Sequence, residues 1–142
     1  MLVQRVKKGS VTSGQLKESI GPGLVCLVAV AGDDCEEDVR FTSSKTAVLR
    51  IFSDYEGKFN FSVKDTGGEV LAVPQFTLYG DCSKGRRPGF EKSAGKEKAL
   101  KYFNLYIEFL RQEGVSVKKG FFGREMEVEI INDGPVSLII ES

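Results

Sequence analysis

The order of apolar and polar side chains predicts strands near both ends of the chain. Apolar and polar residues alternate over 2–6 and again over 125–131, as expected for strands with one buried face. Residues 23–30 are apolar without interruption and rich in β-branched side chains, which is typical of a central strand buried on both faces. The apolar run 136–140 predicts a final strand.

The middle of the chain has the pattern of a hairpin. Residues 59–63 alternate, the turn-forming residues 65–68 follow, and an apolar stretch occupies 69–78. This order predicts that strands 59–63 and 69–78 pair with each other. A short strand is also expected over 115–118.

Two segments have the pattern of helices. Asp34 and Glu37 have the spacing of a capping box, which predicts a helix that ends near Arg50. Its expected buried side is formed by Val39, Thr42, Thr46 and either Ala47 or Val48. Over 94–113, apolar side chains recur at helical spacing and predict a long helix with a stripe facing the core. That stripe consists of Ala99, Leu100, Phe103, Tyr106, Ile107 and Leu110.

Six or seven strands and two helices fit a single domain over residues 1–142. The predicted fold class is α/β, with a strongly curved, barrel-like mixed sheet covered on one side by the two helices.

Composition removes several classes of enzyme. The chain contains no histidine, which excludes Ser-His-Asp triads, Cys-His dyads and nearly all zinc hydrolase sites. Its three cysteines form neither a disulfide framework nor a metal-binding motif, so we expect no metal. We see no signal peptide and no apolar run long enough for a bilayer, so we expect a cytoplasmic protein without a membrane partner.

Charge is balanced over the whole chain but not along it. Equal numbers of basic and acidic residues argue against a protein that coats nucleic acid, and we expect no DNA partner. Residues 84–101 nevertheless carry seven basic side chains against two acidic ones. Residues 121–142 carry one basic side chain against five acidic ones. The basic stretch is either a solvated surface or a face that meets phosphates.

Two short stretches are unusual. Asn132-Asp133-Gly134-Pro135 lies between two apolar runs, and Asp-Gly favours a hairpin turn, yet Pro135 lacks the N–H that would close it. The stretch is therefore an imperfect turn or a backbone device that presents carbonyls and an N–H to a ligand. In the second stretch, Pro74 interrupts the strand 69–78, which places the strand at an edge or a bulge.

Beyond Pro74, Gln75 and Thr77 are expected on one face of the continuing strand. They are either ordinary outward side chains or an amide and a hydroxyl presented to a ligand.

With these stretches located, the chain resembles the D-aminoacyl-tRNA deacylases over nearly its whole length. The resemblance is carried by a Ser-Gln-x-Thr strand end and an Asn-x-Gly-Pro-x-Thr loop. Here these stretches read Pro74-Gln75-Phe76-Thr77 and Asn132-Asp133-Gly134-Pro135-Val136-Ser137. Supporting matches include 3–6, 20–24, 50–54, 56–58 and 87–90.

The resemblance implies a homodimer that hydrolyses the ester between a D-amino acid and the terminal adenosine of tRNA. Many members also remove glycine that has been mischarged, as on tRNA-Ala. The family's pattern implies that Gly134-Pro135 forms a cis peptide inserted into the partner subunit's pocket. There it grips the α-amino group and rejects an L side chain by steric clash. No cofactor is implied.

Two positions depart from the family pattern. Pro74 stands where the family has serine, which puts a serine-based mechanism out of reach. A sibling subfamily that edits an L-amino acid on the wrong tRNA also has Pro-Gln here. Ser137 replaces threonine and keeps the hydroxyl.

The resemblance, together with the missing histidine, leads to a substrate-assisted mechanism. The ribose 2′-hydroxyl activates water, and backbone N–H groups near Phe76 and Thr77 stabilise the oxyanion. Gln75 positions the substrate, and Thr77 has a positioning role because no base is visible to activate it. The residues expected to bind substrate are Asn132, Gly134, Pro135, Phe90 and Met126 (the last two as walls for adenine), with Arg5 as a brace for the Gly-Pro loop. Lys84, Arg86, Arg87 and the lysines within 94–101 are expected to contact phosphates of the acceptor stem.

Three alternatives remain open at this stage. The first is the sibling activity on a small L-amino acid carried by a noncognate tRNA. The second is a tRNA-binding module without catalysis, suggested by Pro74. The third is a structural or protein-interaction domain in which both motifs are turns.

Overall fold

The structure, a computed structural model, describes residues 1–142 and contains eight β-strands and two α-helices. The strands are β1 Leu2–Ser13, β2 Leu16–Ile20, β3 Gly23–Val28, β4 Phe52–Ser53, β5 Phe59–Phe61, β6 Glu69–Pro74, β7 Ser116–Lys119 and β8 Glu127–Ile139. The helices are α1 Glu36–Val48 and α2 Lys96–Gln112, and a short 3-10 helix spans Phe76–Tyr79. No helix is long and apolar enough to cross a membrane.

Six strands form one mixed sheet. Its order is β2-β1-β3-β6-β7, and β8 pairs with the remaining edge of β1. The pairs β3–β6 and β6–β7 are parallel, whereas β1 runs antiparallel to β2, β3 and β8. The first half of β1 pairs with β3 and its second half pairs with β2, so the strand bends between two partners.

The bend in β1 curls the sheet towards closure. Register shifts between β1 and β8 fall on either side of Val6, where bulges increase the twist of a strand pair. At the far end, Lys118 of β7 lies 3.8 Å from the Glu18 carboxylate of β2, which joins opposite ends of the strand order. This geometry confirms the predicted barrel-like mixed sheet.

Two apolar clusters fill the two sides of the curved sheet. The smaller one lies within the curve and consists of Val6, Val11, Ile20, Val25, Leu71 and Val73. The larger one joins the outer face of the sheet to both helices. Strand β3 contributes to both clusters, with Val25 to the smaller and Leu24 and Cys26 to the larger. The predicted central strand is thereby confirmed, as is the cover of two helices.

Helix α1 begins one residue later than the capping pattern predicts. Cys35 is the N-cap residue, and its backbone N–H donates to the Asp38 carboxylate at 2.7 Å. Asp34 instead accepts from the Ala31 backbone N–H at 2.8 Å, so its carboxylate is not available to cap the helix. The helix ends at Val48, whose side chain is 53% exposed, and Ala47 is the fully buried choice of the pair.

Helix α2 buries most of its predicted stripe. Phe103, Tyr106, Ile107 and Leu110 are buried, and Phe109 joins them against the Arg40 guanidinium, whose carbon lies 4.0 Å from the ring centroid. Leu100 was placed in the stripe wrongly, because its side chain remains exposed near the beginning of the helix.

The predicted hairpin between 59–63 and 69–78 is wrong. Strand β5 pairs with β4 in a separate two-stranded sheet, and β6 lies between β3 and β7. The Asp65 carboxylate accepts from both the backbone N–H and the hydroxyl of Ser62, and the Thr66 N–H donates to the Ser62 carbonyl. These bonds close a helical turn that interrupts the extended chain, and β6, buried on both faces, finds parallel partners instead.

Of the two alternatives left open for Asp133-Gly134, the hairpin turn is wrong, because residues on both sides of it belong to β8. Asn132 pairs with Val6 and Ser137 pairs with Gln4, so the whole strand runs along one edge of β1. The Val136 N–H donates to the Asn132 side-chain oxygen at 2.9 Å, which closes a bulge instead of a chain reversal. The stretch is therefore not a turn between two strands, and its role as a backbone device for a ligand stays a prediction.

Candidate active site

A cleft of about 690 Å³ opens beside the carboxyl ends of β3 and β6. Its other walls are the beginning of α2 and the segment that leads into β8. The lining is mainly apolar, with Gln75, Ser93, Lys96 and Arg124 as its polar side chains. The size and the few converging polar groups are those of a small-molecule site.

Gln75 enters this cleft because strand β6 ends immediately before it. Pro74 forms the last pair of the ladder, with Val28, and the Gln75 N–H donates to the Val28 carbonyl at 2.8 Å. Strand β7 pairs with β6 only as far as Ala72, and β3 pairs with it only as far as Pro74. Beyond Pro74 the chain therefore has no neighbouring strand to hold it extended. The Leu78 N–H then donates to the Gln75 carbonyl, and the chain turns into the 3-10 helix.

This turn corrects the prediction that the strand continues to Leu78 with Gln75 and Thr77 side by side on one face. The two side chains meet for another reason, because the Gln75 amide nitrogen donates a hydrogen bond to the Thr77 hydroxyl oxygen. Gln75 lines the cleft, whereas Thr77 is absent from its lining and is exposed on the 3-10 helix.

The turn also places two neighbouring backbone donors at the beginning of the 3-10 helix. Among backbone hydrogen bonds outside the regular elements, Gln75 and Leu78 donate, but Phe76 and Thr77 do not. Both N–H groups lie at the beginning of the 3-10 helix, next to a side chain that lines the cleft. Paired backbone donors of this kind can stabilise an oxygen that becomes negative during a reaction.

Phe90 and Met126, which were expected to be walls for adenine, line the same cleft as Gln75. The Phe90 ring meets the Phe76 ring edge-on, with centroids 5.2 Å apart. The Met126 sulfur accepts from the Phe121 N–H at 3.2 Å, which fixes it against the wall. Together these side chains form apolar surfaces suited to a flat ring.

The residues of the second motif lie elsewhere in the same subunit. Asn132, Gly134, Pro135 and Arg5 are all absent from the lining of the cleft. Gly134 and Pro135 are exposed on β8, and the peptide bond between them is cis, as expected. Gly134 has φ +132°, and a Cβ there would lie 2.7 Å from a Val136 methyl carbon, so glycine is required.

Arg5 holds the backbone next to Gly134. Its side chain is only 10% exposed, and its Nε lies 3.1 Å from the Asp133 carbonyl oxygen and 3.2 Å from the Asp133 carboxylate. Its second donor group reaches the Ile51 carbonyl at 2.6 Å, and the guanidinium lies over the Phe59 ring. Arg5 therefore connects the bulge in β8 to the β4–β5 arm.

Asn132 completes this bulge with side-chain bonds. Besides accepting from Val136, it donates to the Ser137 hydroxyl at 3.1 Å. The Gln4 amide donates to the same hydroxyl at 3.2 Å. Ser137 thus supplies the hydroxyl oxygen that both amides require, although the family has threonine at this place.

Lys84, Arg86 and Arg87 are exposed on the loop that follows the 3-10 helix. Reciprocal backbone bonds between Asp81 and Gly89, at 2.8 and 2.9 Å, close this loop at its base. None of the three basic side chains lies in the lining of the cleft or in a salt bridge. They form a positive surface beside the cleft.

Two cations line the cleft itself. Lys96 was expected only as one of the lysines of 94–101 that contact acceptor-stem phosphates, and sequence reasoning missed Arg124, which carried no signal. No carboxylate, thiol or imidazole lines the cleft, so its charge is positive and no side chain there is a general base. Any hydrolysis must draw on water, on backbone donors and on the substrate's own groups.

A smaller cavity of about 360 Å³ shares residues 28–30 of its lining with the first cleft. Asp33, Asp34 and Asp38 line it, and burial raises the pKa of Asp34. Its charge is opposite to that of the first cleft, so an anionic ligand is directed to the cleft that contains Gln75.

Comparisons with known proteins identify one family. The family model described as D-Tyr-tRNA(Tyr) deacylase matches residues 2–141. A protein of Carboxydothermus hydrogenoformans named D-aminoacyl-tRNA deacylase is 53% identical over 99% of this chain and 97% of its own length. A Geobacillus protein of the same name is 54% identical over 100% of this chain and 94% of its own.

Solved structures show the same fold. A protein described as c-Myc DNA unwinding element binding protein superposes with a TM-score of 0.91 at 37% identity, covering 99% of this chain and 97% of that one. A probable eukaryotic D-amino acid tRNA deacylase superposes with a TM-score of 0.88 at 17% identity, over the same shares of the two chains. From the match over residues 2–141 and relatives more than 50% identical, the chain belongs to the D-Tyr-tRNA(Tyr) deacylase family.

Proposed function

We propose that this chain hydrolyses the ester bond between a D-amino acid and the 3′-terminal adenosine of tRNA. The observation that carries the proposal is the family match over residues 2–141, with relatives about half identical that are named D-aminoacyl-tRNA deacylase. A cleft with apolar walls, one amide and two backbone N–H groups at the beginning of the neighbouring 3-10 helix suits an aminoacylated adenosine. Glycine on tRNA-Ala is a second expected substrate, because it has no side chain to exclude.

Hydrolysis in this cleft is substrate-assisted. No side chain in the lining is a general base, whereas the ribose 2′-hydroxyl of the substrate lies next to the ester carbonyl. Holding that hydroxyl and a water in position supplies up to roughly 7–11 kcal/mol in ideal intramolecular cases. The N–H groups of Phe76 and Thr77 stabilise the oxyanion, and Gln75 orients the ester between them.

Thr77 acts by positioning Gln75. Its hydroxyl accepts the hydrogen bond from the Gln75 amide, and it lies outside the lining of the cleft. Thr77→Ala is therefore expected to retain measurable turnover, whereas a substrate ending in 2′-deoxyadenosine is expected to be cleaved far more slowly. Complete loss of activity in a folded Thr77→Ala protein, with normal cleavage of the deoxy substrate, would contradict this mechanism.

Phe90 and Met126 are proposed to hold the adenine ring. Phe76 packs edge-on against Phe90 and brings its backbone N–H to the same end of the cleft. Truncating Phe90 to alanine removes a stacking surface worth about 1–3 kcal/mol per base, so a 10- to 100-fold rise in KM is expected. A Phe41→Ala variant, altered at an exposed ring on α1, is the control.

The chirality filter is proposed to come from a second copy of the chain. Val128 of β8 lines the cleft, but Gly134 lies six residues further along, about 20 Å away at 3.3 Å per residue. Gly134 and Pro135 of one subunit are therefore available to a partner's cleft and not to their own. Their exposed backbone, braced by Arg5 and Asn132, grips the α-amino group and leaves no room for an L side chain.

A homodimer also accounts for exposed apolar surface on β8. This strand pairs only with β1, so one of its edges is free, and free edges are normally covered. Ile131, Leu138 and Ile139 are 45%, 37% and 72% exposed on it, and Phe59 of the neighbouring arm is 54% exposed. Sedimentation should give twice the mass of the chain, and a monomer at micromolar concentration would overturn the cross-subunit filter.

Lys84, Arg86 and Arg87 are proposed to contact acceptor-stem phosphates beside the cleft. If they do, the affinity for tRNA falls steeply as the salt concentration rises. Replacing all three by alanine then reduces the slope of log affinity against log salt concentration by about 0.9 per lost contact. Cleavage of a short aminoacylated adenosine should not change in that variant, because the loop lies outside the cleft.

The direct test is hydrolysis of D-tyrosyl-tRNA and L-tyrosyl-tRNA by the purified protein. Cleavage of the D form alone is expected. Cleavage of a small L-aminoacyl ester instead would support the sibling editing activity, which the Pro74-Gln75 pair favours. Binding of tRNA without any cleavage would support a non-catalytic module.

A further inference from the structure

Two cations line the cleft without any acidic partner. Lys96, the first residue of α2, and Arg124, just before β8, are the charged side chains in its lining. Neither forms a salt bridge with a carboxylate within 4 Å. Both are exposed and reach the cleft from its rim. The substrate-assisted mechanism leaves them without a role.

The two side chains belong to one part of the rim. A Cβ placed on Gly123 would lie 3.8 Å from the Lys96 Cε, so the lysine stem runs along the backbone immediately before Arg124. Met126 follows two residues later and forms part of the apolar wall. The positive part of the rim is therefore next to the wall assigned to the adenine ring. Gly123 has no side chain, so the space beside the lysine stem stays open.

The chemistry of a nucleotide identifies what would reach this place. In a ribonucleoside, the base and the 5′-carbon project from the same face of the ribose, whereas the 3′-oxygen projects from the other. When the 3′-ester lies against Gln75 and the adenine against Met126, the 5′-oxygen is directed to the base side of the cleft. The group attached there in tRNA is the phosphate that joins the last two nucleotides.

We infer that Lys96 and Arg124 bind the phosphate that joins the last two nucleotides of the substrate, and so hold the terminal adenosine in register with Gln75. This inference rests on the proposed function and adds a subsite to it. Arginine presents a planar pair of donors that matches phosphate oxygens, and lysine supplies a compact charge beside it. The cleft wall reduces the exposure of the phosphate to water, which strengthens both contacts relative to a fully exposed pair.

This subsite differs from the basic loop in what it recognises. Lys84, Arg86 and Arg87 lie outside the cleft and can reach only more distant phosphates, whereas Lys96 and Arg124 line the cleft that receives the last nucleotide. A ligand consisting of one aminoacylated nucleotide is therefore long enough to engage Lys96 and Arg124. It is too short to engage the loop and the cleft together.

The experiment compares two non-hydrolysable ligands by calorimetry. Both carry D-tyrosine in amide linkage on 3′-amino-3′-deoxyadenosine, and one has a 5′-hydroxyl where the other has a 5′-phosphate. The unaltered protein should bind the 5′-phosphate ligand at least tenfold more tightly, the ratio expected from one charge-assisted hydrogen bond. Lys96→Ala and Arg124→Ala should each remove most of that ratio without weakening the 5′-hydroxyl ligand.

Lys101→Ala is the matched control, since Lys101 lies on the same helix but does not line the cleft. Its ratio should equal that of the unaltered protein. Lys96→Gln and Arg124→Gln keep polar stems and should behave like the alanine variants if charge is the cause. Raising the salt concentration should shrink the ratio in the unaltered protein alone.

Three results would overturn the inference. These are equal binding of the two ligands by the unaltered protein, no binding of either, or equal weakening of both ligands in the variants. Hydrolysis of D-tyrosyl-tRNA is measured in parallel. If that reaction proceeds while the ligand ratio stays at one, the phosphate subsite is wrong and the proposed function stands.

Discussion

Arg5 is the side chain whose removal should disturb the Gly-Pro bulge most. It is 8% exposed, and its guanidinium donates to carbonyl oxygens in two separate segments, at Ile51 and Asp133. The Asp133 carboxylate lies 3.2 Å from the same Nε. Arg5→Ala would leave both carbonyls without this donor and would remove the contact that joins the β4–β5 arm to β8.

The expected cost follows from these contacts. A hydrogen bond with a charged partner contributes about 1.5–3 kcal/mol, and the two bonds share one side chain, so their costs do not simply add. Asp133 is 37% exposed, which further reduces the contribution of the ion pair. Arg5→Ala should therefore lower the free energy of unfolding by about 2–4 kcal/mol, and Arg5→Lys by about half as much because an ammonium cannot reach both carbonyls.

The assay is urea denaturation followed by circular dichroism, with Lys7→Ala as the control. Lys7 lies on the same strand, but its side chain is 72% exposed and 4.0 Å from Asp133, so its loss should cost less than about 0.5 kcal/mol. The ratio of D- to L-tyrosyl-tRNA cleavage is measured on the folded variants. It should fall for Arg5→Lys and stay unchanged for Lys7→Ala. An Arg5→Ala protein as stable as Lys7→Ala would refute the bracing role.

Three further predictions concern the scaffold. Burial raises the pKa of Cys26 to about 12, so a thiol reagent should modify two of the three cysteines in the folded protein and Cys26 only after unfolding. Burial also raises the pKa of Asp34, so the folded state binds the carboxyl proton more tightly than the unfolded chain does. The contribution of Asp34 to the free energy of unfolding therefore falls as the pH rises from the unfolded pKa of this carboxyl through its raised folded pKa. Asp34→Asn should then be more stable than the unaltered protein at pH 7 in urea denaturation, with the advantage lost near pH 3. A Cβ at Gly23 would lie 2.0 Å from the Glu69 carbonyl oxygen, so Gly23→Ala should lose about 3 kcal/mol or fail to fold, whereas Gly21→Ala, with open space, should unfold like the unaltered protein.

The sequence pattern predicts those parts of the fold that depend on neighbours along the chain. The uninterrupted apolar run in β3 identifies a strand buried on both faces, and the stripe from Phe103 to Leu110 identifies the buried side of α2. The pattern fails where side-chain bonds redirect the chain. The hydrogen bonds from Ser62 to the Asp65 carboxylate interrupt the predicted hairpin. The alternation of apolar and polar residues gives no indication of such bonds.

The candidate site divides in the same way. Gln75, Phe90 and Met126 could be named from motif resemblance, and the structure brings them into one cleft. Arg124 could not, because it stands alone in the sequence and reaches the cleft only through the packing of the segment before β8. Lys96 was grouped with the other lysines of 94–101 as a phosphate contact, and only the position of helix α2 distinguishes it from them as a residue of the cleft.

Pro74 illustrates a substitution that the scaffold accommodates. As the last residue of β6 it pairs with Val28, and its Cδ lies 3.2 Å from the position that a Cβ on Gly120 would occupy. The backbone donors of Phe76 and Thr77 do not depend on a hydroxyl at this position. A Pro74→Ser variant should therefore fold and cleave the same ester, which a comparison of kcat/KM with the unaltered protein would establish.

The central claim is that backbone groups and the substrate's own hydroxyl hydrolyse a D-aminoacyl ester in a cleft without a base. The most direct measurement is the rate at which purified protein releases D-tyrosine from D-tyrosyl-tRNA, beside L-tyrosyl-tRNA under the same conditions. We expect rapid release from the D form and none above the uncatalysed rate from the L form. Equal rates for the two forms, or no release from the D form, would contradict the account.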